Sequence, residues 1–394
     1  MKILVLSWEL PPRIVGGISR HVAELYPELV KLGHEIDVIT VEFGNAPMYE
    51  EVEGMRVHRV PVANSSNFYE WVGNMNISMG EHGGKLMRSE GEFDIIHAHD
   101  WLVGDAAIAL KYLFKVPLVA TIHATEHGRY NGIYNDEHRY VSNKEKDLVY
   151  HAWRVIVCSG YMRREVAWAL NSPWDKVDVI YNGIRPEKKP RWDEFDAWSF
   201  RRRYATDEEK IVYYVGRMSY EKGVSVLLSA APKVLWEMGG DVKFVIIGGG
   251  NTDHLKKMAW DLGIWHNCYF TGFLPEDDLN KFQAIADCAV FPSLYEPFGI
   301  VALESFAARV PVVVSDAGGL PEVVQHTKTG VVTWAGDYNS LAWGILQVLK
   351  NPGYGKWLVE NAYKDLERFQ WGKLAIATEE VYERVLSERK DFVW

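Results

Sequence analysis

Cysteine is scarce: Cys158, Cys268 and Cys288 are the only three in 394 residues, and no two stand close together. That excludes a disulfide framework, a zinc ribbon and a paired-thiol redox motif, and the odd count fits a reducing compartment. Long apolar runs are also missing. No stretch approaches the ~18 residues of a membrane span. The opening run Ile3-Leu4-Val5-Leu6 falls short of the ~7–15 apolar residues at the centre of a secretory signal. A cytoplasmic location is therefore expected. Positive charge is in deficit, with a net charge of −10. This argues against a nucleic-acid partner, which needs a basic face, and against stable attachment to an anionic membrane. The run Arg201-Arg202-Arg203 is the one obvious basic segment, expected as a solvated linker face. No two aspartates are separated by a single residue, so the D-x-D pattern that chelates a metal together with a nucleotide diphosphate is absent.

What is present is an ordinary globular composition, 48% apolar and 24% charged, in a chain long enough for two or three domains. Short β-rich runs alternate with helical patterns. Lys2–Ser7, 36–41, 56–60, 95–98, 118–122, 155–158 and 177–181 read as strands, and a helix from Ser19 to about Leu32 carries Pro27 inside it. Residues 185–210 change character, with Pro186, Pro190 and mixed charges. A second alternating series follows, with strands at 211–215, 244–247, 268–271, 288–291, 312–314 and 330–332. The fold class expected is α/β, two facing Rossmann-like doubly wound domains. Their bounds are 1–186 plus 375–394, a linker at 187–208, and 209–374. The last helix, 374–389, follows a completed sheet and is expected to return to the first domain. Ligands bind at the carboxyl ends of strands in such sheets, so the cleft between the domains is the expected site.

Four constellations sit at strand ends. Gly216-Arg217-Met218-Ser219-Tyr220-Glu221-Lys222-Gly223 places two cations between glycines just before a helix, which suits a diphosphate; a polar loop with solvated charges accounts for it equally well. Glu296-Pro297-Phe298-Gly299-Ile300 opens a helix that carries Glu304 two turns on. Its first amides could hold an anion, and its carboxylates could reach sugar hydroxyls and a ribose; a plain amphipathic helix with acids near its start is the simpler reading. Gly16-Gly17 in the first loop permits close backbone approach to a phosphate, or is only a tight turn, and it is not a dinucleotide fingerprint. His97, His99, Asp100 and His123 form the fourth group. A metal is not expected there, since cations for a phosphate are already available. His123 is the best placed for a ligand, and the polar loop with Glu126 and Arg129 that follows it suits a hydroxyl-rich molecule.

Taken together, Gly16-Gly17, Gly216-Arg217…Lys222-Gly223, the E-x7-E pair Glu296/Glu304 and Gly318-Gly319-Leu320-Pro321-Glu322 resemble the retaining glycosyltransferase family 4, of GT-B fold. Ser7-Trp8-Glu9, His97-Ala98-His99-Asp100-Trp101 and Thr121-Ile122-His123-Ala124-Thr125-Glu126 are similar to α-1,4-glucosyltransferases of the glycogen-synthase type. Ile14 stands where bacterial ADP-glucose-type synthases carry a lysine, which favours family 4 over family 5. The resemblance implies a UDP- or ADP-sugar donor, a glucan or other hydroxyl acceptor, and no cofactor or metal. It implies that Arg217 and Lys222 bind the diphosphate, Glu304 the ribose and Glu296 the donor sugar. The amides of Phe298, Gly299 and Ile300 would seat sugar and phosphate, Phe273 and Leu274 would border the base, and Asp100 and His123 would line the donor-sugar and acceptor side. Glu296, His123, Arg217 and Lys222 are the expected catalytic set.

Overall fold

The computed structural model describes residues 1–189 and 194–390. The chain divides into two compact units. One takes the described residues of Met1–Gly183 and Trp371–Trp394, the other those of Ile184–Gln370.

The first unit is built on an eight-stranded sheet. Its strands are β1 (Lys2–Leu6), β2 (Glu35–Val41), β3 (Tyr49–Val52), β4 (Met55–Val60), β5 (Ile95–His99), β6 (Leu118–Ile122), β7 (Arg154–Val157) and β8 (Val177–Val179). They lie in the order β3-β4-β2-β1-β5-β6-β7-β8, and every pair is parallel except β3 with β4. Ile3, Leu4, Val5 and Leu6 are fully buried, as expected of a central parallel strand covered on both faces. β3 is an edge strand that the apolar pattern does not show. It pairs back through Glu53 and Gly54, both at positive φ (47° and 83°), the geometry of a two-residue hairpin turn. Pro27 lies inside the helix Gly17–Lys31 without ending it.

The second unit has a six-stranded sheet, with β9 (Lys210–Val215), β10 (Val242–Ile247), β11 (Cys268–Gly272), β12 (Cys288–Phe291), β13 (Val312–Ser315) and β14 (Val331–Thr333). All are parallel, in the order β11-β10-β9-β12-β13-β14. In each sheet the strand order turns at the first strand: β1 lies between β2 and β5, and β9 between β10 and β12. Such switch points leave a crevice at the strands' carboxyl ends. The Gly16-Gly17 loop follows β1 and the Arg217–Lys222 loop follows β9.

The segment expected as a linker, 187–208, is more than a tether where it is described; residues 190–193 lie outside the described part. Helix Ala197–Arg201 buries Ala197, Phe200 and Arg201. Arg201 corrects the expectation of a solvated basic run. Its guanidinium donates to Ile285 O at 2.6 Å, Glu209 O at 2.7 Å and Asp287 Oδ2 at 2.8 Å. A planar fork of donors suits this multiple contact. Arg202 and Arg203 stay exposed.

The last helix, Trp371–Arg389, returns to the first unit and packs on Gly17–Lys31. Trp371, Leu374, Ala375, Thr378, Val381, Tyr382 and Val385 are its buried residues, a spacing that puts them on one face. All of these but Thr378 join Val22, Leu25, Tyr26 and Leu29 in one apolar cluster. Leu374→Ala should lower the stability of this unit by about 2–4 kcal/mol, measured as a shift in its urea unfolding midpoint. An unchanged midpoint would mean that this face carries no packing energy.

Candidate active site

In the second unit the candidate residues gather at the carboxyl edge of the sheet. Tyr214, buried on β9, donates to Arg217 O at 2.9 Å and holds the turn that follows the strand. Glu221 organises the next step. Its carboxylate accepts from Ser219 Oγ at 2.6 Å and pairs with Arg217 at 3.2 Å. Its carbonyl accepts the amides of Leu294 (2.7 Å) and Tyr295 (3.1 Å) from the loop after β12. Gly223 makes this approach possible: at φ +68°, an added Cβ would lie 2.0 Å from Pro292 O.

The two loops meet in an ion pair. Lys222 Nζ donates to Glu296 Oε2 at 2.7 Å, with both side chains mostly buried. Glu296 O accepts the Gly319 amide at 2.8 Å, and the backbone passes so close that a Cβ on Gly318 would lie 2.0 Å from that oxygen. Phe298 is buried against Phe369, with ring centroids 6.0 Å apart. Gly299, at φ +107°, turns the chain into helix Ile300–Ala307, where Glu304 is buried. Phe273 is 74% exposed and Leu274 partly so, directly after β11. The sequence motifs identify Arg217, Lys222 and Glu296. They assign no role to Tyr214 or Glu221, which hold the loop after β9 through the contacts above.

In the first unit, Gly16 and Gly17 start a helix with no side-chain cap. Glu9 comes from the same loop, and its carboxylate accepts the amides of Val15 (2.6 Å) and Gly16 (2.8 Å). Asp100, at φ +61°, is buried and its carboxylate accepts the His123 amide at 2.8 Å. It fixes the end of β6, so as placed here it supports His123 rather than presenting an open surface for a sugar. Burial raises its carboxyl to about 6. Glu126 is likewise buried, and its amide donates to Glu145 at 2.8 Å. Burial raises both of these carboxyls, Glu145 far more. Arg129 offsets part of this negative charge.

The histidines form a larger cluster than the motif suggests, because the helix Gly17–Lys31 adds His21 and Tyr26 and the last helix adds Tyr382. His21 Nδ1 contacts Asn182 Oδ1 at 2.7 Å, while its Nε2 is buried without a hydrogen-bond partner among the described residues. One nitrogen each of His21, His99 and His123 lie within 4.8 Å of one another, the one such group among the described residues that could hold a metal. His99 Nδ1 and His123 Nε2 already contact each other at 3.0 Å, and a shared ion would have to replace that bond.

The description "Glycosyltransferase Family 4" matches residues 15–188 and "Glycosyl transferases group 1" matches residues 196–365. An uncharacterized glycosyltransferase of Methanocaldococcus jannaschii is 41% identical over 392 residues, 97% of this chain and 98% of that protein. The glycogen synthase of Mycobacterium tuberculosis is 34% identical over 401 residues, 97% and 94%. The protein is a family 4 glycosyltransferase. Its architecture is the GT-B fold of sucrose-phosphate synthase from Thermosynechococcus elongatus, with TM-score 0.83, 22% identity and coverage of 98% and 99%. Anabaena HepE, solved in complex with UDP-glucose, aligns with TM-score 0.77, 20% identity and coverage of 98% and 100%. No helix among the described residues of this glycosyltransferase is long and apolar enough to cross a membrane.

Buried histidines make the first unit sensitive to acid. Burial lowers His21 to about 4 and His97 to about 3. Each then binds a proton more readily in the unfolded chain, so its contribution to stability is present above the ordinary histidine value and is lost as pH falls through it. Asp100, raised to about 6, acts in the opposite sense below that pH. His97→Gln should therefore make the loss of stability from pH 6.5 to 4.5 shallower than in the wild type, by up to about one proton's worth of slope. Parallel curves of urea midpoint against pH would exclude His97 as a contributor.

Proposed function

We propose that this glycosyltransferase moves glucose, with retention at the anomeric carbon and without a metal, from a nucleoside diphosphate sugar to the non-reducing end of an α-1,4-glucan. The observation that carries this reading is the Lys222–Glu296 ion pair at 2.7 Å, formed where the Arg217 loop meets the start of helix Ile300–Ala307. Cations, a carboxylate and a helix start are gathered at one sheet edge. Departure of a nucleoside diphosphate builds negative charge on phosphate oxygen, and preorganised donors stabilise that charge because they need no reorganisation as it develops. The Lys222 ammonium has three donors; one serves Glu296, and the others serve phosphate. Arg217 and the amides of Phe298, Gly299 and Ile300 add to them.

Glu296 then orients the donor sugar and favours its oxocarbenium-like state, Glu304 holds the ribose, and Phe273 with Leu274 borders the base. The acceptor hydroxyl attacks from the face that the phosphate leaves, and the phosphate takes its proton. No carboxylate nucleophile is needed, unlike the double displacement of retaining glycosidases. The glucan acceptor rests on the His97–Trp101 and Thr121–Glu126 motifs and on the likeness to the mycobacterial glycogen synthase.

Incubation with UDP-glucose or ADP-glucose, with and without maltooligosaccharide, tests the substrates. The expected result is nucleotide release that depends on the oligosaccharide, products longer by one hexose with α anomeric protons, and turnover that survives EDTA. Transfer only to a sugar phosphate or polyol would replace the glucan acceptor with a small one, and loss of turnover in EDTA would overturn the metal-free step. Arg217→Ala should lower kcat by about 10²-fold or more. Turnover near that of the wild type would remove Arg217 from the mechanism.

A further inference from the structure

Four hydrogen-bonding groups connect the last helix to His123. Tyr382 Oη lies 2.6 Å from His97 Nδ1, and Tyr26 Oη lies 2.9 Å from the same nitrogen. Tyr26 Oη is also 2.7 Å from His99 Nε2, and His99 Nδ1 is 3.0 Å from His123 Nε2. On its other side, His97 Nε2 lies 2.7 Å from Thr121 Oγ1. Tyr26, Tyr382, His97 and His99 are buried, and burial keeps the imidazoles of His97, His99 and His123 neutral by lowering their proton affinity. Each ring therefore carries one proton, and each contact needs one.

This condition orders the chain. A bare His97 Nδ1 has a single lone pair and could not accept well from two phenols, whereas an N–H there can be shared between two oxygens. His97 is thus protonated on Nδ1, and the Thr121 hydroxyl donates to its Nε2. Tyr382 and Tyr26 also hydrogen-bond each other; Tyr382, whose proton is not needed at His97, donates to Tyr26, and the Tyr26 proton goes to His99 Nε2. His99 must then carry its proton on Nδ1 and donate to His123 Nε2. His123 is left with an N–H at Nδ1. Among the described residues that atom has no hydrogen-bond partner, and it is not enclosed.

We propose that Tyr26 is a positioning residue that, through His99, holds His123 in the Nδ1–H tautomer, so that His123 presents a hydrogen-bond donor to an oxygen of the bound sugar and cannot act as a base. Its lone pair, on Nε2, is occupied by His99. This rests on the reading of His123 as a ligand-facing residue of the transferase.

The test is long-range proton–nitrogen NMR on protein labelled with ¹⁵N-histidine, with no ligand added. The wild type should show His123 and His99 protonated on Nδ1 and bare on Nε2; His123 protonated on Nε2 overturns the proposal without any variant. Tyr26→Phe removes the donor to His99 and should shift His123 toward the Nε2–H tautomer. In the same variant kcat should fall about tenfold, the scale of one lost hydrogen bond, with the donor KM little changed. Tyr382→Phe perturbs the same buried cluster but leaves Tyr26 to accept from His97, so His123 should keep its tautomer. An unmoved His123 tautomer in Tyr26→Phe, or an equal shift in Tyr382→Phe, would reduce Tyr26 to a packing residue. Full activity in His123→Ala would instead sink the functional reading, while leaving the tautomer assignment to stand on the spectrum.

Discussion

The pairing of Lys222 with Glu296 is the interaction on which the second unit's site depends. Each group alone would be a costly charge to hold out of water, and together they are tolerated. The pairing requires the loop after β9 and the loop after β12 to touch, and that contact explains the other features around it: Gly223 with no room for a Cβ, the Glu221 carbonyl accepting two amides of the neighbouring loop, and Gly318 passing against Glu296 O. In the transfer proposed above, a diphosphate needs concentrated positive charge and a positively charged sugar carbon needs a carboxylate, and this salt bridge would keep both in place.

The first unit solves a different problem. It holds polar, hydrogen-bonding rings inside an apolar cluster, where each must find partners or cost stability. Tyr26, Tyr382 and Thr121 supply them. Asp100 fixes the backbone of His123 while the imidazole chain fixes its ring. Position and protonation of one side chain are thus set by separate supports.

Much of this was readable from residue order. Strands in both sheets follow from short apolar runs, because parallel strands buried on both faces leave little room for polar residues. Arg217, Lys222, Glu296 and Glu304 stand out because glycines and a helix-starting proline frame them. β3 leaves no signal in the apolar pattern because Tyr49–Val52, with its two central glutamates, lacks an apolar face and is specified by its turn. A basic run such as Arg201-Arg202-Arg203 looks solvated in sequence until Ile285 O and Asp287 are folded against its first member. His21, Tyr26 and Tyr382 carry no local motif. They matter through contacts spanning up to 285 residues, which no window along the sequence contains.

The first unit is discontinuous: it opens the chain and is completed by a helix that begins at Trp371. Translation therefore delivers its last structural piece only after the whole second unit has been made. Until then Tyr26 and its helix lack the cover that the last helix gives, and the nascent protein carries an incomplete core in a part already synthesised. Loss of a few C-terminal turns, whether by a premature stop codon or by proteolysis, would injure the half of the enzyme that is farther away in sequence.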